Sequence, residues 1–380
     1  MIRTGPPGAG PFSFGNKRKV HNATTSIVSM TMSLDVRVDC DEGCFDLPEW
    51  QSLLASDPNA NIFATPEWNR AWWKEFKEGK DLFLITMRRE EEVMAIVPLY
   101  RKEEDDRKVL RFIGGIDLTD YLGPICSLGN RDEVARTLVD WLSTTDVEWN
   151  EFDAHNMPVP FGFAEFLVDW VDRKGFEFML EQEDTTAVLV LPDDWDSYLA
   201  SLDSKNRHEL KRKRRRLDRV HPDARFRTST SESLEEDLKT FIDMHRGAEG
   251  HKGHFMRPEI ATFFERLAKE FDPLGWLQMD FLEIGERAVA STFAFRLGHT
   301  LYLYNSAYEP DAGRLSPGLV LVSELVKRSI EDDEIKVFDF LRGPERYKYQ
   351  LGAEAVPLNN VRVLNSGIES AKSASTMEQQ

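Results

Sequence analysis

The stretch "VFDFLRGPERYKYQ" gathers Asp339, Arg342, Tyr347 and Lys348 around a Gly-Pro turn. An aspartate at a strand end can hold a substrate ammonium or take its proton, an arginine can fix a phosphate or carboxylate, and a tyrosine can protonate a leaving thiolate. An Asp339–Arg342 pair that only ties down the loop explains the same residues equally well. Upstream, "RLSPGLV" sets Arg314, Ser316, Pro317, Gly318 and Leu319 between an aromatic strand and an apolar-periodic helix. Ser316 can accept from the first free amides, Pro317 suits the first helical position because it has no N–H to lose there, and Gly318 leaves the turn open. The junction reads either as a helix cap or as an anion seat, in which bare amides and the positive helix end face a phosphate and Arg314 adds charge.

Two further segments carry chemistry. "MHRGAEGHKGHF" holds His245, His251 and His254 in a Gly-rich run. No partner stands at metal-ligand spacing, so a substrate-covering loop is expected rather than a metal site. His245, at a helix end, reads as a general base, an acceptor contact or a structural hydrogen bond. "SKNRHELKRKRRRLDR", from Ser204 to Arg219, is densely basic, with Leu210 and Leu217 as a thin apolar seam. A solvated helix face, a docking strip for an anionic cofactor or polymer, and an RNA strip all fit; no aromatic residue interleaves to stack bases.

The elements that must position these residues are legible from periodicity. Thr65 and Pro66 open a helix with Trp68, Trp72 and Phe76 on one stripe. "DLFLITMRREEEVMAIVPLYRK" reads as a hairpin, "VLRFIG" and "TDYLGPICS" as strands, 132–142 as a helix, and "VEWNEFDAHNMP" as a strand ending in a polar loop. In the second half, helices over 202–219, 233–246 and 258–271 precede the hairpin "WLQMDFLEIGERAVASTFAFRLG", the strand "TLYLYNSAY", the helix after "SPG" and the strand "IKVFDFLRG". "DYLGPIC", helix, "NEFDAHN" answers "LYLYNSAY", helix, "VFDFLRG", which predicts a duplicated α/β (α+β) unit with a boundary near 189–198.

Composition sets the outer limits. The chain has 380 residues, 41% of them hydrophobic, enough for two cores. Its 48 basic and 66 acidic residues leave a net charge of −18, which predicts a cytoplasmic protein without general affinity for nucleic acid, DNA included, or for anionic membranes, so any polyanion binding must be local. No apolar run is long enough to cross a bilayer. Cys40, Cys44 and Cys126 are expected as reduced thiols. Residues 1–34, with Arg3, Lys17, Arg18 and Lys19 but no acidic residue, and the tail 367–380 are expected to be disordered.

The order hairpin, "YNSAYEPDAGRLSPGLVL", helix, "VFDFLRGPERYKYQLG" resembles the GNAT-superfamily acyltransferases known as CelD-like or cellulose-biosynthesis proteins, in the tandem-GNAT group that includes Fem-type peptidoglycan aminoacyltransferases. The likeness covers nearly all of 37–365; "SPG" and "FDFLRG…YK" are its most specific parts, with Met244–His245 and "VAS" at 289–291 in support. It implies two tandem GNAT-like domains, each a mixed, mostly antiparallel sheet flanked by helices: 35–190, non-catalytic, and 191–366, catalytic. It implies acyl-CoA, acetyl-CoA first, as co-substrate and no metal. The pantetheine would pair with the strand Leu301–Ser306, through Tyr304, Asn305 and Ser306, and the pyrophosphate would rest at Ser316–Leu319 with Arg314 and Gly318. Asp339, Tyr347 and His245 would be catalytic. Arg342, Lys348, Asp120, Tyr121 and His155, with Asp153 and Asn156, would line the acceptor cleft.

The implied function is N-acyl transfer to an amine on a small molecule, saccharide or peptide, linked to exopolysaccharide or cell-envelope biosynthesis. Two alternatives stand beside it: Fem-like transfer from an aminoacyl-tRNA, which would give the basic helix a purpose, and a non-catalytic GNAT-shaped partner of polysaccharide-synthesis machinery.

Overall fold

The computed structural model describes residues 33–247 and 254–365. The segments expected to be disordered, 1–34 and 367–380, lie outside the described residues except for Ser33 and Leu34, and Leu34 is buried in the core. His251 also lies outside them.

The first half opens with β1 (Asp35–Asp39) and α1 (Glu49–Ser56). In α2 (Pro66–Phe76) the Thr65 hydroxyl accepts from the Trp68 N–H at 3.3 Å, Pro66 takes the first position, and Trp68 and Trp72 are buried. The hairpin β2 (Lys80–Arg89) and β3 (Glu92–Glu104) turns at Glu90, and β4 (Arg107–Phe112) extends it. β5 (Ile125–Cys126), α3 (Arg131–Thr144), β6 (Glu151–Pro158), α4 (Phe163–Lys174) and β7 (Glu177–Val190) follow. The second half comprises α5 (Trp195–Ser201), α6 (Ser204–Val220), β8 (Arg225–Thr228), α7 (Leu234–Arg246), α8 (Pro258–Phe271), β9 (Leu277–Ile284), β10 (Arg287–Leu297), β11 (Thr300–Tyr308), α9 (Pro317–Glu331), β12 (Val337–Arg342), α10 (Arg346–Gln350) and β13 (Glu354–Leu364).

These strands form one sheet in the order β1-β2-β3-β4-β6-β13-β7-β12-β11-β10-β9-β8, with β5 paired to β3. Pairing is antiparallel except for β4–β6 and β11–β12, which run parallel around α3 and α9. The order is the same from either edge, so the halves are related by a pseudo-twofold axis between β13 and β7. Each half inserts its last strand into the other: β13 lies between β6 and β7, and β7 between β13 and β12. A cut at 190 would leave β6 without its neighbour β13, and β12 without β7.

Alternation along the strands divides the core by face. Leu82, Leu84, Phe293, Phe295 and Tyr302 point toward α1, α2, α7 and α8. Phe83, Ile85, Leu110 and Phe152 face α3 and α4, while Leu301, Leu303, Phe338 and Phe340 face α5 and α9.

The duplication is present, with one strand reassigned. "TDYLGPICS" is irregular apart from Ile125–Cys126, and the strand that matches β11 is β4, because β4 is the one parallel to β6. Gly123 at positive φ breaks the run that looked extended.

Candidate active site

β11 and β12 pair over Thr300↔Val337, Leu301↔Phe338 and Tyr302↔Asp339 and then part, although β11 runs on to Tyr308 and β12 to Arg342. Irregularities in both strands drive them apart. Tyr304 is an extra residue in β11 opposite the step Phe293–Ala294, and β12 shifts register against β7 between Asp339 and Arg342, with Leu341 at φ 60°. A leucine in that conformation costs on the order of 1 kcal/mol, strain of the kind stored at functional sites. A cleft of about 400 Å³ occupies the opening. Leu303, Phe340 and Tyr347 on its wall belong to the core on one face of the sheet, and Tyr304 and Phe255 to the core on the other, so it passes through the sheet.

The equivalent opening in the first half is closed. β4 and β6 pair at Val109↔Glu151 and Leu110↔Phe152 and then separate, but the chain between Ile113 and Leu122 fills the gap. The Leu122 N–H donates to the Asn156 carbonyl at 3.0 Å, and Asn156 Nδ2 donates to the carbonyls of Ile116 at 3.2 Å and Thr119 at 2.8 Å. The fill is tight: a Cβ on Gly114 would lie 2.4 Å from Thr119 Oγ1.

The same loop braces the open half. Asp120 accepts from Arg342 Nε at 2.7 Å and from the Arg342 backbone N–H at 3.1 Å, and Arg342 also donates to Asn156 Oδ1 and the Ile116 carbonyl. The Asp339–Arg342 pair that the sequence allowed as an alternative is therefore replaced by Asp120–Arg342, across the halves. Tyr304 donates to the Leu118 carbonyl at 2.9 Å, and Tyr121, buried behind the cleft, donates to Asp339 Oδ2 at 2.7 Å.

Asp339 and Asp153 hold the same place in the two "FD" strands and have opposite electrostatics. Burial raises the Asp339 pKa, and hydrogen bonds from Tyr121 and the Leu341 N–H offset this only in part, leaving it pushed up to about 7. Burial also opposes charge on Asp153, but His155, Asn360 and Arg111 outweigh it and hold that carboxyl well below its ordinary range. His155 sits between Asp153 at 2.8 Å and Glu183 at 2.7 Å; burial works against its charge, yet the two carboxylates raise its pKa to about 9. The structure thus puts His155 and Asp153 in an ionic network off the cleft wall. Their strand alone could not reveal this, because Glu183 and Asn360 come from β7 and β13.

Among the remaining expected residues, Asp120, His245, Tyr304, Asn305, Ser306, Arg342, Tyr347 and Lys348 all line the cleft. His245 Nε2 lies 3.1 Å from Asn305 Oδ1. Tyr347 bonds to Ser306, and burial pushes its phenol well above the ordinary range. The Lys348 ammonium is taken up by the carbonyls of Leu341 and Arg342 and by Glu345 at 2.9 Å, so it secures the β12 turn. Asp339 and Tyr121 are not on the wall; Asp339 lies one residue behind Phe340. Asp117, Asp184 and Glu345 line the cleft without having been expected. Glu345 stands inside "RGPERYK", a visible signal, whereas Asp184 arrives only through β7.

Ser316 departs from its expected role. Its backbone is left-handed, at φ 55° and ψ 49°, its side chain makes no cap, and its carbonyl takes the Val320 N–H at 3.1 Å. With Pro317 first in α9, the Gly318 and Leu319 amides have no capping side chain. A Cβ on Gly318 would lie 3.3 Å from the ring of Tyr308, so this helix end stands against the last residue of the parted strand β11. Arg314 beside it is exposed and forms no ion pair among the described residues. No cluster of His, Cys, Asp and Glu among the described residues could hold a metal ion, and no helix among them is long and apolar enough to cross a membrane.

The sequence of this region matches a known domain. Residues 204–349 match the acetyltransferase (GNAT) domain. That GNAT segment spans α6 to α10 and includes the parted strands and the uncapped helix end. Among solved structures, FemX is similar at 13% identity and a TM-score of 0.62, over 85% of this chain and 97% of FemX. A conserved protein of unknown function from Bacteroides thetaiotaomicron is similar at 11% identity and a TM-score of 0.57, over 87% of this chain and 100% of that one. At such identities the likeness is one of fold: mixed α/β, with a large, mostly antiparallel sheet flanked by helices. No curated protein matches the chain.

Proposed function

We propose that the chain is an N-acyltransferase whose second half passes an acyl group from acyl-CoA, acetyl-CoA being the simplest, to an amine. The observation that carries this reading is the parting of β11 and β12 beside the uncapped start of α9, in contrast to the filled gap of the first half. The GNAT match over 204–349 supports it. The CoA pyrophosphate rests on the Gly318 and Leu319 amides with Arg314, and the pantetheine pairs with the β11 edge that β12 has left, from Leu303 to Ser306.

The acceptor amine enters between the halves, past Asp120 and Arg342, and must be neutral to attack. Asp339, with a pKa of about 7, is assigned as the proton acceptor through an intervening water. A β11 amide stabilises the thioester oxygen, and His245 keeps Asn305 in place. The N–C bond forms as the C–S bond breaks, and Tyr347, kept protonated by burial, gives its proton to the departing thiolate. The acceptor is an amine on a small molecule, saccharide or peptide; the CelD-like resemblance directs the search to cell-envelope and exopolysaccharide precursors.

The test is calorimetry of acetyl-CoA and longer acyl-CoAs with the wild type and Gly318→Asp. Loss of binding in the variant supports the phosphate seat, and equal binding by both proteins overturns it.

A further inference from the structure

The seventeen residues of α6 carry nine cations and two carboxylates in a chain of net charge −18. Leu210 and Leu217 are buried and fix the orientation of the helix. Lys205, His208, Arg212, Arg215 and Arg219, spaced three and four apart, then fall on the opposite face, and all are exposed. The ridge is about 21 Å long at the helical rise per residue. Some of the cations are matched within the protein: Arg212 and Lys213 share Glu209, and Arg214 pairs with Asp218 and Glu324. Lys211, Arg215 and Arg219 form no ion pair among the described residues. Like charges one turn apart destabilise a helix, and a chain already this acidic gains no solubility from them.

Beside the ridge, between α6 and α9, runs a groove of about 530 Å³. Its floor is apolar, with Trp195, Leu199 and Leu210; Lys211, Arg215 and Lys327 stand on its rim, and the two carboxylates of its wall, Asp218 and Glu324, are both paired with Arg214.

We propose that α6 is the docking face for an anionic phospholipid surface, with headgroup phosphates along the ridge and the apolar part of one lipid in the groove. Charge complementarity selects the class of partner, and the groove selects within it. A lipid presents phosphate and hydrocarbon at a single edge, whereas a phosphodiester backbone has nothing apolar to place on Trp195 and Leu199, and the ridge offers no aromatic residue on which bases could stack. Acidic surface elsewhere does not cancel the attraction, because charges more than about 10 Å away are screened. It turns the ridge toward the membrane. Among the described residues Val220 is the one exposed large hydrophobic on α6, so binding is peripheral and reversed by salt.

The experiment sediments the full chain with vesicles of phosphatidylcholine alone and of phosphatidylcholine mixed with phosphatidylglycerol, at low and high salt, with duplex RNA titrated in parallel. Binding to the mixed vesicles at low salt and release at high salt are expected. Joint Lys211→Glu, Arg215→Glu and Arg219→Glu substitution should weaken it about a hundredfold with unchanged circular dichroism, and the milder Lys211→Gln, Arg215→Gln, Arg219→Gln variant serves if the first does not fold. Equal binding by wild type and variant, equal binding to phosphatidylcholine alone, or tighter binding to duplex RNA than to the mixed vesicles would each overturn the proposal.

Discussion

Tyr121, in the loop that fills the first half's gap, donates a 2.7 Å hydrogen bond to Asp339 on the parted strand of the second half. Two residues far apart in sequence thereby share one proton environment, and the half with the closed gap sets the acid–base state of the half with the open one. That bond lowers the Asp339 pKa against the rise caused by burial.

Replacing Tyr121 by Phe should therefore raise the Asp339 pKa further and move the acid limb of the kcat/KM profile to higher pH. An unchanged limb would remove Asp339 from the proton path.

Asp339→Asn has a signed effect on stability. With a folded pKa of about 7 against 3.8 unfolded, the native state binds more protons between those values, so the wild type loses stability as pH rises through that window. The asparagine variant escapes that loss and should be more stable than wild type at pH above 7, by up to about 4 kcal/mol. Its advantage should vanish in acid. Thermal midpoints measured against pH decide it.

His155→Gln should show the opposite course. The folded pKa of about 9 exceeds the ordinary 6.5, so the contribution is fully present below pH 6.5 and is lost as pH rises through 9. The variant should cost about 3 kcal/mol at pH 6 and little above pH 10, read by denaturant titration.

The Asp120–Arg342 pair is largely buried, and removing one partner strands the other. Asp120→Asn should destabilise the protein by about 3 kcal/mol, with most of that recovered when Arg342→Met is added. Additive losses in the double-mutant cycle would mean the two halves are held by other contacts.

The strand exchange predicts that neither half folds alone. A chain ending at Gly352 lacks β13 and leaves β6 and β7 unpaired along their facing edges, so it should lose its cooperative thermal transition. A sharp transition from residues 34–190 alone would contradict this.

Much of the local structure was determined by the sequence itself. The Thr65–Pro66 start of α2, the helix Pro258–Phe271, the strand Thr300–Tyr308 and the turn between β2 and β3 depend on capping, proline geometry and side-chain periodicity, which act within a few residues. Asn305, Ser306 and Tyr347 were drawn together by the family resemblance rather than by any local pattern, and all three line one cleft. Other features were decided by tertiary structure alone. Ser316 is a residue type that caps helices but adopts a left-handed backbone, and its side chain caps no helix amide. Asp153 and Asp339 share the motif "FD" and differ by what distant strands and loops bring to them: Asn360 from β13 for the first, Tyr121 for the second. A local pattern fixes which face a side chain takes, but its neighbour across the sheet is chosen by pairings hundreds of residues away, and the protonation state follows from that neighbour.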